Sequence, residues 1–408
     1  MVLTGIQETS DVSYQKRLIR RLQKVHRRSL GKQLSLADYI RESLGAFPID
    51  IERALNKANI PYVTNAVGNL STLSPHPQLA ESTAFLPDEH PNDFDWRFTH
   101  HTINSLARRV KRYSASNQSV ALFGVKTLLP ALIEHGIKTV LYERSLSLVQ
   151  DFHKNGYAAS VIQQDLLYPL HDSRPTYELV IADPPWYLDY YEAYLDRGAE
   201  LLATGGECWL SVLPALTRPS ASSDRRAIGL MAAQRGFELV KKIPRLLAYQ
   251  TPAFERQALA TNDVHLDIWR LGDLWIFRKM ADTLIAPQHP LLLDQDAWTE
   301  YRIGNKKIQV RKALEAGYFD YWPTQAEGKY FHSVSRRATE RNRITIWTSD
   351  NIAFTAIASQ KVSPFLHYLQ SGHSLSETSK LIFSTQTLTQ TEKHKIVALL
   401  MALDLFVE

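Results

Sequence analysis

Asp183-Pro184-Pro185-Trp186 is the segment of this 408-residue chain with the clearest chemical capacity. Two successive prolines each hold φ at about −65° and each remove one backbone donor. The carbonyls before and within such a turn are rigidly aimed acceptors, and Asp183 adds a carboxylate at the same place. An amine nucleophile needs such acceptors. They hold its N–H groups and point its lone pair at an electrophilic carbon, so that rate comes from positioning. Trp186 offers a flat surface to stack a base or face a cation, and Tyr187, Tyr190, Tyr191 and Tyr194 crowd behind it.

The elements that must position this turn are legible as an alternation. Short apolar runs at Ser119–Gly124, Thr139–Tyr142, Ala158–Gln163, Leu179–Ala182 and Glu207–Leu213 predict strands. Helical stretches at Leu128–His135, Leu146–Asn155, Tyr191–Leu202 and Asp224–Arg235 follow most of them, and two further strands are expected at Phe237–Ile243 and Leu266–Lys279. Strand–helix alternation of this kind predicts an α/β fold, a largely parallel Rossmann-like sheet with helices on both faces. Gly124 ends the first strand, Glu143 the second, Asp165 follows the third, and Asp183 ends the fourth. Open α/β sheets bind ligands at the carboxyl ends of their strands. A carboxylate after the second strand can accept both hydroxyls of a ribose, and a polar side chain after the third can meet an adenine amino group.

This series resembles the class I S-adenosylmethionine-dependent transferases. The Asp-Pro-Pro-Trp turn is similar to the (Asp/Asn)-Pro-Pro-aromatic motif of amino-group N-methyltransferases that act on nucleobases or protein side chains. The resemblance implies S-adenosylmethionine, or its decarboxylated form, as cofactor. It assigns cofactor binding to Gly124, Glu143, Asp165 and Asp183, and catalysis to Asp183, Pro184, Pro185, Trp186 and Tyr187. Over residues 93–280 the chain also resembles the catalytic domain of the branched-chain polyamine synthases. The residues that carry this are Phe94-Asp95-Trp96-Arg97-Phe98-Thr99, the helix from Thr102, the Asp-Pro-Pro turn, Gly205-Gly206, and Tyr249 to Glu255. On that resemblance Tyr249 and Glu255 join Trp186 and Tyr190 as substrate-binding residues. One departure is chemical. The family's Gly-Asp-Asp-Asp-Leu motif, an acidic cluster suited to a polyamine, is here Gly124-Val125-Lys126-Thr127-Leu128. A lysine at that place repels a polycation. Three functions are therefore carried forward: N-methyl transfer to an amine-bearing acceptor, aminopropyl transfer to a polyamine, and a non-catalytic scaffold with a degenerate Rossmann domain.

Composition sets the surrounding bounds. The chain is 44% hydrophobic and 22% charged, enough to build cores and unlike a disordered segment. Its one cysteine, Cys208, excludes an intramolecular disulfide and a Cys-rich metal centre, and it falls in an apolar strand run that predicts burial. No metal site is expected, because the histidines are scattered; His100-His101 reads as an ordinary helix start. With no signal-like start and no apolar run of membrane-spanning length, a cytoplasmic protein with no membrane association is expected.

Three parts are expected: a basic helical region with a linker over residues 1–90, the Rossmann-like domain over 91–285, and an accessory region over 286–408. The net charge of +5 is mild, but Lys16, Arg17, Arg20, Arg21, Lys24, Arg27, Arg28 and Lys32 occur with no acidic residue between Asp11 and Asp38. Leu18, Leu22 and Val25 give this stretch helical periodicity. A nucleic acid or an acidic protein is the expected partner at Lys16–Lys32. Ser35 with Asp38 predicts the start of a second helix, and a third is expected over about Ile49–Asn59. The accessory region predicts a β part to about residue 360, including a hairpin turning at Gly304-Asn305, and then winged-helix-like helices over 361–408. Those helices carry few basic residues, which favours a protein or peptide partner over DNA.

Overall fold

The computed structural model describes residues 2–29, 31–63, 83–113, 119–170, 176–260, 264–282, 298–312, 317–325, 329–336, 338–385 and 388–405. Most of the expected Pro/Ser/Asn-rich linker (residues 65–82) and the expected boundary at 285/286 lie outside them. The chain divides into two compact units. The first comprises Met1–Leu86, Arg97–Gln250 and Leu266–Leu291, and the second Pro87–Trp96, Thr251–His265 and Leu292–Glu408.

The first unit opens with three helices, α1 (Val2–Arg28), α2 (Leu36–Glu42) and α3 (Pro48–Lys57). Leu18, Leu22 and Val25 form the buried stripe of α1, as their spacing predicts, and Tyr14 extends it. Ser35 caps α2 in a reciprocal box: its hydroxyl accepts from the Asp38 amide while the Asp38 carboxylate accepts from the Ser35 amide at 3.0 Å. These helices belong to the same unit as the sheet. The Tyr14 hydroxyl donates to the Leu216 carbonyl at 3.1 Å, and Arg17 donates to Ser222 Oγ at 2.6 Å and to the Pro219 carbonyl at 3.0 Å.

After α4 (His100–Tyr113) the strands and helices alternate. They are β1 (Ser119–Phe123), α5 (Leu129–Glu134), β2 (Lys138–Glu143), α6 (Leu146–Lys154), β3 (Val161–Gln163), β4 (Tyr177–Ala182), α7 (Leu188–Leu201), β5 (Leu202–Val212), α8 (Ala221–Gln234) and β6 (Phe237–Ala248). The second unit contributes α9 (Ala253–Ala260), and β7 (Leu271–Lys279) then completes the sheet of the first. The strand order is β3-β2-β1-β4-β5-β7-β6. The first five strands run parallel, and β7 is antiparallel to both β5 and β6. The fold is thus Rossmann-like. Central strands covered on both faces read as continuous apolar runs rather than alternating ones: β1 is buried from Val120 to Phe123, and β4 from Leu179 to Ala182. The strand order reverses between β1 and β4, the topological switch point at which such sheets form a ligand crevice.

The second unit holds a five-stranded antiparallel sheet of β8 (Trp298–Ile303), β9 (Lys306–Arg311), β10 (Asp320–Pro323), β11 (Ile346–Thr348) and β12 (Ala353–Ile357), in the order β10-β12-β11-β9-β8. The β8–β9 hairpin turns at Gly304, whose φ of +58° suits glycine. Helices α10 (Ser363–Gln370), α11 (Leu375–Thr385) and α12 (Gln390–Ala402) pack their apolar residues, among them Phe365, Leu366, Ile396 and Leu400, into one core with Ile308, Val310 and Phe354 of the sheet.

Candidate functional site

Gly124 and Asp183 meet at the switch point. The Asp183 amide donates to the Phe123 carbonyl at 2.9 Å, so the β1 and β4 ends are tied by backbone. Gly124 has φ +70°, and a Cβ there would lie 2.7 Å from the Asp183 carbonyl oxygen. Only glycine accommodates both the angle and the approach. The Pro-Pro turn then leads into α7. The Tyr187 amide donates to the Pro185 carbonyl at 2.6 Å, and Tyr187 itself is the N-cap position.

The Asp183 side chain is held from the far side of the sheet sequence. Tyr249, just after β6, donates its hydroxyl to Asp183 Oδ1 at 2.6 Å. The same hydroxyl lies 2.7 Å from Ser211 Oγ of β5, and Trp186 Nε1 donates to Ser211 Oγ at 3.4 Å. Burial, and then the charge and hydrogen bond of Asp183, raise the Tyr249 phenol well above its ordinary range. It therefore stays protonated and acts as a donor. Tyr249 is fixed through its own backbone, since its amide donates to the Arg270 carbonyl at 3.0 Å. Its ring packs on Phe98 at 4.9 Å between centroids.

Trp186 is buried, edge-on to Tyr249 at 5.8 Å, with the Arg270 guanidinium 4.6 Å from its ring centroid. The Arg218 guanidinium lies 5.4 Å from the Tyr187 ring centroid. Tyr190 is buried on α7, as is Tyr191, whose hydroxyl accepts from the Leu213 amide at 3.1 Å. The aromatic cluster predicted behind the Pro-Pro turn is thus largely wall.

Glu143 is buried at the end of β2, and its Oε1 accepts from the Ser145 amide at 2.9 Å. Asp165 follows β3, and its Oδ1 accepts from the Leu167 amide at 2.9 Å. Tyr194 links these carboxylates to the switch point. Its ring packs edge-on to Phe123 at 6.0 Å. Burial pushes its phenol far up, and Tyr190, Glu143 and Asp165 push it further.

The structure therefore brings Gly124, Asp183, Trp186 and Tyr249 together, with Glu143 and Asp165 along the adjacent strand ends. Glu255 lies in the second unit, buried on α9. Three further residues belong to the site: Ser211, Tyr194 and Arg270. Ser211 and Arg270 carried no sequence signal, because each acts through a neighbour distant in the chain. Cys208 is fully buried, and burial pushes its thiol up to about 12, so it is an inert core group. His100 lies in the exposed first turn of α4 and pairs with Asn104 at 2.8 Å. Among the described residues no group of three or more His, Cys, Asp or Glu side chains could hold a metal ion, and no helix is long and apolar enough to cross a membrane.

No family model matches the sequence, and no curated protein sequence matches it. Solved structures do. The branched-chain polyamine synthase from Thermus thermophilus, in complex with N4-aminopropylspermidine and 5′-methylthioadenosine, is similar at a TM-score of 0.52 and 13% identity, covering 67% of this chain and 90% of that one. Its C9 mutein with the same ligands gives a TM-score of 0.53 at 12% identity, with the same coverage. The CcbJ methyltransferase from Streptomyces caelestis covers 44% of this chain and 90% of its own, at a TM-score of 0.33 and 13% identity. At such identities the likeness to the polyamine synthase is one of fold, and it places this chain among Rossmann-like α/β proteins with a parallel central sheet.

Proposed function

We propose that the chain is an S-adenosylmethionine-dependent N-methyltransferase acting on an amino group. The observation that carries this reading is the Tyr249–Asp183 hydrogen bond at the switch point, where a rigid Pro-Pro turn follows the carboxylate. The residues present fit the cofactor. Gly124 would let a ligand approach the backbone closely, Glu143 would offer its carboxylate to a ribose, and Asp165 would meet the adenine amino group. When bound, S-adenosylmethionine supplies an electrophilic methyl carbon on a sulfonium leaving group.

The protein's part is positioning. Tyr249 orients the Asp183 carboxylate, which together with the turn carbonyls would accept the N–H groups of the acceptor. The acceptor nitrogen then presents its lone pair along one direction. No strong base is required to create the nucleophile, because a neutral amine already has its lone pair. Asp183 is placed to take the proton that the product ammonium releases. The buried aromatic wall of Trp186, Tyr190 and Tyr191 excludes water and strengthens these contacts.

Aminopropyl transfer is the second reading, favoured by the overall likeness to the polyamine synthase. Against it stand Lys126 in place of an acidic cluster, and the guanidinium groups of Arg270 and Arg218 on the aromatic residues of the turn. The deciding experiment is calorimetry with S-adenosylmethionine and its decarboxylated form, followed by radiolabelled methyl transfer into cell extract by wild type and Asp183→Asn. Tighter binding of S-adenosylmethionine, with transfer lost in the variant, supports the methyl reading. Tighter binding of the decarboxylated form overturns it. If neither raises the melting temperature at millimolar concentration, the chain is a scaffold.

A further inference from the structure

Seven of the eight cations between Asp11 and Asp38 lie on α1, and they separate into two sets in the folded chain. Arg17 and Arg21 are half-buried and engaged internally, Arg17 with Ser222 and Pro219, and Arg21 with Glu42 at 3.0 Å. Lys16, Arg20, Lys24, Arg27 and Arg28 are exposed on α1. Their spacings of four, four, three and one residues keep them within about 120° of helix surface, opposite the buried stripe. The row from Lys16 to Arg28 is about 18 Å long at 1.5 Å per residue. No acidic residue interrupts it. The carboxylates that follow in sequence are committed elsewhere: Asp38 to the α2 cap and Arg41, and Glu42 to Arg21 and Arg245.

We propose that this face of α1 docks along the phosphate backbone of duplex DNA. One strand of duplex DNA carries about one phosphate per 3.4 Å of axis, so a line of five cations over about 18 Å matches the roughly five phosphates of one strand. Single-stranded nucleic acid is bound by aromatic stacking platforms, and the exposed residues of this face include no aromatic one. The major groove of B-form DNA admits a helix, whereas that of A-form RNA is too narrow. A membrane surface would need the apolar stripe of α1, which is already buried in the protein. A protein partner would need an apolar anchor, and among the described residues of this face Val12 is the one exposed large apolar residue.

The test is fluorescence anisotropy of the full chain with a labelled duplex of arbitrary sequence, about two helical turns long, as a function of salt. With five contacts, log K should fall against log salt with a slope of about −4.5. The triple variant Arg20→Gln/Lys24→Gln/Arg28→Gln should bind at least tenfold more weakly and lose about 2.7 of that slope, at an unchanged melting temperature. Lys138→Gln/Lys154→Gln/Lys241→Gln removes the same charge from exposed positions elsewhere in the unit and should change neither. No binding at low salt, equal losses in both triple variants, or tighter binding of double-stranded RNA or a polyglutamate peptide overturns the proposal.

Discussion

Tyr249 donates its hydroxyl to Asp183 Oδ1 at 2.6 Å, across a sequence separation of 66 residues. The donor stays protonated because burial and the adjacent carboxylate both oppose its ionisation. One carboxylate oxygen is thereby fixed, and the other is oriented. Tyr249→Phe keeps the ring packing against Phe98 and Trp186 and removes only this donor. A hydrogen bond to a charged group contributes roughly 1.5–3 kcal/mol. The expected result is about a 10- to 100-fold fall in kcat with little change in affinity for S-adenosylmethionine, read by radiolabelled transfer and calorimetry. An equal loss in cofactor affinity would assign Tyr249 to cofactor binding instead.

Gly124→Ala should be costly on two counts. Its φ of +70° is unfavourable for a side chain, and the new Cβ would meet the Asp183 carbonyl oxygen at 2.7 Å. A loss of roughly 1–3 kcal/mol in stability is expected, with cofactor binding lost as the two strand ends move apart. Thermal unfolding and calorimetry on the same preparation check both.

Glu143→Gln keeps the shape and removes the charge. If the carboxylate holds ribose hydroxyls, affinity should drop about tenfold, the equivalent of one charge-assisted hydrogen bond. The pH dependence of transfer should stay unchanged, because Glu143 carries no proton in the reaction. A shifted pH profile with unchanged affinity would sink the ribose assignment.

His90 makes the stability of the second unit pH-dependent. Its Nδ1 accepts from the Asn92 amide at 3.1 Å, and its Nε2 donates to the Trp347 carbonyl at 3.0 Å. The neutral ring is therefore satisfied, and a second proton would set Nδ1–H against an N–H. Burial is the main reason its pKa falls to about 4. Because the folded pKa lies below the unfolded one, the unfolded chain binds the extra proton first. Stability is then full above about pH 6.5 and declines as pH falls toward 4, by ~3 kcal/mol in all. His90→Gln should flatten that slope in pH-dependent melting of the chain. A slope that persists in the variant would place the titration elsewhere.

The sequence by itself determined what local physics decides. Hydrophobic periodicity located the strands and helices of the Rossmann-like sheet, and Ser35 with Asp38 marked a helix start that the structure closes with a reciprocal cap. The four strand ends that carry Gly124, Glu143, Asp165 and Asp183 were legible for the same reason, since each follows directly from a short apolar run. Boundaries were less legible. β6 continues to Ala248, and β10 and β12 were not picked out as strands.

Only the tertiary structure decided which distant groups meet. Tyr249 reaches Asp183, and Ser211 reaches Tyr249, because β5, β7 and β6 line up in an order that local pattern does not encode. It also decided which cations of α1 turn inward. Arg17 and Arg21 are as basic as their neighbours, and only the packing of α1 separates them from the exposed row, Arg17 against Pro219 and Ser222 and Arg21 against Glu42. The second unit gathers three separate stretches of chain, Pro87–Trp96, Thr251–His265 and Leu292–Glu408. Pairings such as Asp93 with Lys307 at 3.1 Å join the first of these stretches to the third. Such contacts depend on long-range chain closure, which leaves no periodicity in the sequence to read.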